Sequence, residues 1–171
     1  MGTGGVFLRK LRAKVSDQPT GFIWVEGKAI AASGLPASRR QLAWLSEAGI
    51  RSILTLTEGP IPEEWKKGLN VTFLHVPMND HEPPGFESLD AAVSFVQSEV
   101  RGGRPVLVHC LAGQGRTMCV LAGYLIKGKG MDPAEAIRSL RAKRPGAVEG
   151  SQEKAVFNYA TKVRGNSPSL P

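Results

Sequence analysis

Val106, Leu107 and Val108 form a wholly apolar run between Gly102-Gly103 and the glycine-containing stretch Leu111 to Gly115. A run so short, with no polar alternation, predicts a strand covered on both faces, as in the middle of a parallel sheet. Parallel neighbours cannot be joined by tight turns and need crossover connections, usually helices. The rest of the chain should therefore alternate strand and helix.

It does. Phe22 to Val25 and Ala29 to Ala31 read as short extended pieces around a turn at Glu26-Gly27-Lys28. Ser38 suits the N-cap of a helix that carries Leu42, Leu45 and Ala48 and stops at Gly49. Ile53 to Leu56 and Val71 to Val76 read as strands, separated by Pro60, Pro62 and a short turn at Glu63 to Lys67. Apolar residues at 86, 89, 92, 93, 96 and 100 predict a helix from Phe86 to Val100. Further helices are expected from Gly115 to Ile126, from Asp132-Pro133 to Lys143, and from a Ser151 cap to Val163. The pattern predicts an α/β domain whose central, mainly parallel sheet of four to five strands is flanked by helices.

A length of 171 residues suits one such domain. We place it at residues 22–164, after a basic N-terminal arm (1–21) and before a loose Pro- and Ser-rich tail (165–171). Within the arm, Arg9, Lys10, Arg12 and Lys14 alternate with apolar residues from Val6 to Val15, a short solvated basic segment.

Lys and Arg number 22 against 15 Asp and Glu, a net charge of +7 that favours anionic partners. Phosphorylated proteins and anionic lipid both qualify. No stretch matches a DNA- or RNA-binding motif, so nucleic acid is not an expected partner. No apolar run is long enough to cross a bilayer, and Met1 to Gln18 holds no signal-peptide core. A cytoplasmic protein without a transmembrane segment is expected, its two cysteines kept as thiols. With three histidines and no Cys/His pair at ligand spacing, neither metal nor cofactor is expected.

The apolar strand leads into His109-Cys110-Leu111-Ala112-Gly113-Gln114-Gly115-Arg116-Thr117 and then an apolar helix. A central parallel strand delivers its last residues to the carboxyl edge of the sheet, where α/β proteins bind ligands. There, main-chain N–H groups of the loop from Leu111 to Gly115 and the helix dipole would converge on a tetrahedral anion. The same field favours thiolate over thiol, which makes Cys110 the candidate nucleophile. Five residues separate Cys110 from Arg116, enough to curl once around a phosphate, whose oxygens the planar guanidinium can then hold in pairs. Thr117 can donate its hydroxyl to the sulfur or to the displaced thiolate, and His109 is placed to order the loop. A Walker loop is excluded, because no Gly-Lys-Ser/Thr follows the glycines.

The stretch resembles the signature of the cysteine-based protein-tyrosine phosphatases: His-Cys, five residues, then Arg-Ser/Thr. Within that superfamily the chain is similar to the small atypical dual-specificity phosphatases and their archaeal relatives, over about residues 22–163. Phe22-Ile-Trp-Val25, Leu54-Thr-Leu-Thr-Glu58, the Pro-rich loop after Asp80, Arg144-Pro-Gly146 and Gln152 to Phe157 support the likeness. It implies hydrolysis of phosphotyrosine, and of phosphoserine or phosphothreonine, through a phosphocysteine intermediate. A phosphoinositide or other non-protein phosphatase is the alternative.

Phosphoryl transfer to sulfur also needs an acid for the leaving oxygen. Asp80, in a loop after a strand and before Pro83-Pro84, is the best candidate by position, ahead of His81 and Glu82. The resemblance implies the same role for it, and a water-positioning role for Gln152. Met118-Cys119 stands where the family usually has Gly, so packing beneath the loop should differ. Cys119 itself reads as a core thiol. His75 reads as a core or edge residue, Trp24, Trp44 and Trp65 as packing residues, and Arg138, Arg141, Lys143 and Arg144 as a solvated helix face.

Overall fold

The structure, a computed structural model, describes residues 17–148 and 150–165. The basic segment read over Val6 to Val15, and the tail beyond Gly165, lie outside these residues. Five strands form one sheet: β1 (Ile23–Glu26), β2 (Ile30–Ser33), β3 (Ser52–Thr55), β4 (Thr72–His75) and β5 (Val106–His109). Their spatial order is β1-β2-β5-β3-β4, with β1 antiparallel to β2 and every other pairing parallel. The apolar run is thus the middle strand, and Val106, Leu107 and Val108 are wholly buried.

Alternation of side chains along β5 divides the core into two layers. Leu107 faces Ala31, Ile53, Leu42 and Leu45, the last two from α1 (Arg39–Glu47). Trp24, Trp44 and Trp65 pack against this layer, Trp65 from the one-turn helix α2 (Glu63–Lys66), as their packing role predicts. Val106 and Val108 face the opposite layer, which is built from α3 (Phe86–Arg101), α4 (Arg116–Lys129), α5 (Pro133–Lys143) and α6 (Ser151–Gly165). Each fully buried aliphatic side chain contributes about 1.5–3 kcal/mol, so the run anchors both layers at once.

Side-chain caps set two of the helix starts. Ser38 Oγ accepts from the Gln41 N–H, and Asp132 Oδ1 accepts from Ala134 and Glu135, with Pro133 at the first helical position. Two helix ends differ from expectation. α4 runs past Ile126 to Lys129, because no chain-reversing residue comes before Gly130, which ends it at φ +66°. Ser151 is the first residue of α6 rather than its cap.

One polar network fixes α6 to the other helices. Asp90 on α3 accepts from Lys127 Nζ of α4 and from Tyr159 Oη of α6, each at 2.7 Å. Burial would raise the Asp90 carboxyl, but these hydrogen bonds outweigh it and hold the group below its ordinary range.

Candidate active site

His109, the last residue of β5, pairs in register with Ser33 of β2 and Thr55 of β3. Cys110 is therefore the first residue beyond the carboxyl edge of the central strand, flanked by parallel neighbours on both sides. It is 2% exposed. Its Sγ accepts a hydrogen bond from the Gly113 N–H at 3.2 Å. That turn needs glycine twice over: φ is +71°, and a Cβ at this position would overlap the Ser33 carbonyl.

The loop is held from three sides. Leu35 donates its N–H to the Leu111 carbonyl at 3.2 Å, and the Gln114 carbonyl accepts from Val148 N–H at 3.4 Å. Below Gly115, the buried Gln152 of α6 approaches so closely that a Cβ there would lie 2.5 Å from Gln152 Nε2. Gln152 thus lies against the loop it was expected to serve. The main-chain N–H groups of Leu111, Ala112, Gln114 and Gly115 have no acceptor among the described residues, which leaves a set of donors on one short loop. The Leu111 side chain is 57% exposed beside them.

His109 orders this loop as a neutral ring. Its Nε2 lies 2.9 Å from Thr55 Oγ1 and its Nδ1 lies 3.5 Å from the Cys110 carbonyl. A carbonyl can only accept, which assigns the ring proton to Nδ1 and makes Thr55 the donor to Nε2. Complete burial lowers the His109 pKa to about 4, more than its hydrogen bond to Cys110 raises it.

Arg116 opens α4 and is 1% exposed. Its Nη1 is fully engaged, donating to Met78 O at 2.8 Å, Glu58 Oε2 at 3.1 Å and Leu56 O at 3.4 Å. The other edge is not. Nε has no acceptor, and Nη2 lies 2.8 Å from Asp80 Oδ1 without being aligned for a hydrogen bond. A planar edge with two buried N–H donors is the shape that grips two oxygens of a phosphoryl group.

Of the two roles expected for Thr117, donation to the sulfur is not seen in this state. Its hydroxyl is buried without a partner, so the predicted bond to the Cys110 sulfur is not formed. The left-handed turn at Gly113 supplies a main-chain donor to the sulfur in its place. Met118 and Cys119 are completely buried, and burial pushes the Cys119 thiol up to about 12, as befits a core residue.

Asp80 reaches the site from the loop after β4. Its rivals do not: His81 is turned outward at φ +60°, and the exposed Glu82 accepts from Asn79 Nδ2 at 2.8 Å. His75 stays in β4, 2.8 Å from the Thr57 carbonyl. What places Asp80 is Glu58, a residue that the sequence analysis named only within a supporting segment and gave no role. Glu58 Oε1 accepts from the Asp80 N–H at 2.9 Å while Oε2 accepts from Arg116. Hydrogen bonds from its own backbone, from Asp80 and from Arg116 hold the Glu58 carboxyl below its usual range. The available signal was its place just past the end of β3, the strand beside β5.

Arg141 corrects the reading of a solvated basic face. It donates to the carbonyls of Ala147 (3.0 Å) and Val148 (2.6 Å) and pairs with Glu153 at 2.8 Å. It is a tie behind the catalytic loop, because the segment after α5 has no regular structure to satisfy its own carbonyls.

A family model described as the DSP-PTPase phosphatase domain of Swiss Army Knife proteins matches residues 19–157. The chain belongs to this family. Among curated relatives of the DSP-PTPase domain, the phosphatidylglycerophosphate phosphatase PTPMT1 of Arabidopsis thaliana is 31% identical over 120 residues, 67% of this chain. The dual specificity protein phosphatase Mpk3 of Drosophila melanogaster is 28% identical over 102 residues, 59% of this chain. The chain spans only 36% of the length of the first and 25% of the second. Among solved structures, the active form of Tk-PTP superposes with a TM-score of 0.74 at 29% identity, covering 82% of this chain and 96% of that one. Kinase associated phosphatase shares the fold at a TM-score of 0.77 and 21% identity, covering 89% of this chain and 100% of that one.

Proposed function

We propose that this DSP-PTPase domain hydrolyses phosphotyrosine, and phosphoserine or phosphothreonine, in protein substrates through a phosphocysteine intermediate. The observation that carries the reading is the meeting of Cys110, the open edge of Arg116 and Asp80 at the end of β5. In the first step the Cys110 thiolate attacks phosphorus, an S–P bond forms and the ester P–O bond breaks. Asp80 delivers its proton to the departing oxygen. The N–H groups of Leu111, Ala112, Gln114 and Gly115, with Nε and Nη2 of Arg116, hold the equatorial oxygens where charge develops. In the second step water attacks phosphorus, Asp80 takes its proton, and the S–P bond breaks to release phosphate and the thiolate. Gln152 is assigned the orientation of that water, a role supported by its packing under Gly115. Thr117, with a free buried hydroxyl below the loop, is left to stabilise the thiolate as it departs.

Every step uses main-chain and side-chain groups of this chain together with water. A cytoplasmic location belongs to the same reading; among the described residues no helix is long and apolar enough to cross a membrane. Purified protein is expected to hydrolyse p-nitrophenyl phosphate and a phosphotyrosine peptide in the presence of a metal chelator. Cys110→Ser should abolish both activities, and turnover that survives it would overturn the proposal.

A second reading is hydrolysis of a phospholipid or phosphoinositide monoester. It is favoured by the names of two relatives from Arabidopsis thaliana, PTPMT1 and PTPMT2, both phosphatidylglycerophosphate phosphatases. Against it, Leu111, Ala112, Gly113, Gln114 and Gly115 place no cation in the loop to meet a polyanionic headgroup. Side-by-side rates on phosphopeptides and on phosphoinositide vesicles decide the order.

A further inference from the structure

Beside the catalytic loop, a groove of about 620 Å³ runs between the acid loop and α6. One wall holds Pro83, Pro84 and Phe86, and the other is α6 from Ser151 to Lys162. Its lining neighbours the reaction centre along the chain: Ser151 precedes the Gln152 that rests on Gly115, and Pro83 stands three residues after Asp80. No carboxylate lines it. Lys154 and Lys162 do, both exposed and both without an ion-pair partner among the described residues. Lys162 Nζ stands 4.7 Å from the centre of the Phe86 ring, which holds its charge over the groove rather than away from it.

The spacing of the two cations restricts what fits. Eight residues of α6 separate them, a rise of about 12 Å. A second anion within one lipid headgroup lies close to the reacting phosphate and leaves Lys162 unmatched. In an extended peptide, side chains four residues apart point the same way and lie about 13 Å apart. The flat apolar wall of Pro83, Pro84 and Phe86 suits the strip of peptide between them.

We propose that this groove binds the peptide flanking the phosphorylated residue, selecting substrates with two acidic side chains four residues apart on one side of it. The inference rests on the protein-phosphatase reading above and makes Lys154 and Lys162 specificity-determining residues. The ion pairs are exposed and worth little each, so the effect should be a graded preference that fades with added salt.

The test compares phosphotyrosine peptides with Glu, Gln or Lys at both flanking positions, on either side of the phosphotyrosine, each rate taken relative to that on p-nitrophenyl phosphate. The wild-type protein should favour the Glu peptide over the Gln peptide by about five- to tenfold in kcat/KM, chiefly through KM. In the double variant Lys154→Glu, Lys162→Glu the order should invert to favour the Lys peptide. Equal rates on the Glu and Gln peptides, or a Glu preference that persists in the double variant, would overturn the proposal. So would a charge reversal that alters only turnover of phosphoinositide vesicles. Absence of turnover on every peptide, with p-nitrophenyl phosphate still hydrolysed, would instead overturn the protein-phosphatase reading beneath it.

Discussion

Asp80 Oδ1 and Arg116 Nη2 lie 2.8 Å apart, so the proposed proton donor and the phosphate clamp share one small volume. Such closeness is what an acid serving the leaving oxygen of a clamped ester requires. Asp80→Asn should therefore lower kcat by about 10²–10⁴ on esters with poor leaving groups such as phosphothreonine. The loss should be much smaller on p-nitrophenyl phosphate, whose leaving group departs without protonation. A leaving-group series on both proteins checks this; equal losses across it would remove Asp80 from the acid role.

Glu58 joins the same two residues through the acceptors on its two oxygens. Glu58→Gln keeps the size and removes the charge that holds Arg116. The expected cost is roughly tenfold in kcat/KM. In an Asp80→Asn background the same change should cost clearly less, because the two residues work through one contact and their effects do not add. A double-mutant cycle on kcat/KM reads this directly.

Gly113→Ala meets both a left-handed backbone and the Ser33 carbonyl. It should destabilise the protein by about 1–3 kcal/mol and move the main-chain donor off the Cys110 sulfur. Thermal melting gives the first effect, and the loss of vanadate binding, measured on protein that is still folded, gives the second.

The buried neutral His109 makes stability depend on acid. Its folded pKa, about 4, lies below the unfolded value near 6.5, so from 6.5 down to 4 the unfolded chain binds a proton that the folded protein refuses. Stability should be constant with respect to this group above pH 6.5 and fall by about 3 kcal/mol on reaching pH 4. Glu99 and Asp90, held below their ordinary values of 4.5 and 3.8, begin to add their own losses as pH falls through those values. Denaturant midpoints between pH 7 and 4 should show the slope in wild-type protein and a reduced one in His109→Gln.

What could be read from the sequence was whatever a short stretch of chain encodes by itself. The apolar run at β5, the caps at Ser38 and Asp132, and the strand-loop-helix around Cys110 each contain their own signal in adjacent residues. Arg116 and Asp80 could be named as candidates because each stands at a definite place in such a stretch, and Gln152 through the family resemblance. Glu58 could not, since its role is made only when β3 and β5 pair and bring the ends of two strands together. Arg141 was misread for the same reason, because a basic helix looks solvated until the segment after it folds back. The partner of a hydroxyl is still less local: Thr117 follows the signature, yet its hydroxyl has no partner in this state while the Gly113 N–H meets the sulfur.

Val148 is a buried, β-branched residue at φ +54°, a conformation such side chains rarely adopt. Its N–H meets the Gln114 carbonyl and its own carbonyl is gripped by Arg141, so the strained residue sits directly behind the phosphate-binding loop. Here selection for robustness and selection for turnover pull in opposite directions. Val148→Gly would relax the backbone and loosen the loop with it, so the spot where this protein is easiest to relax is also one where catalytic precision is easiest to lose.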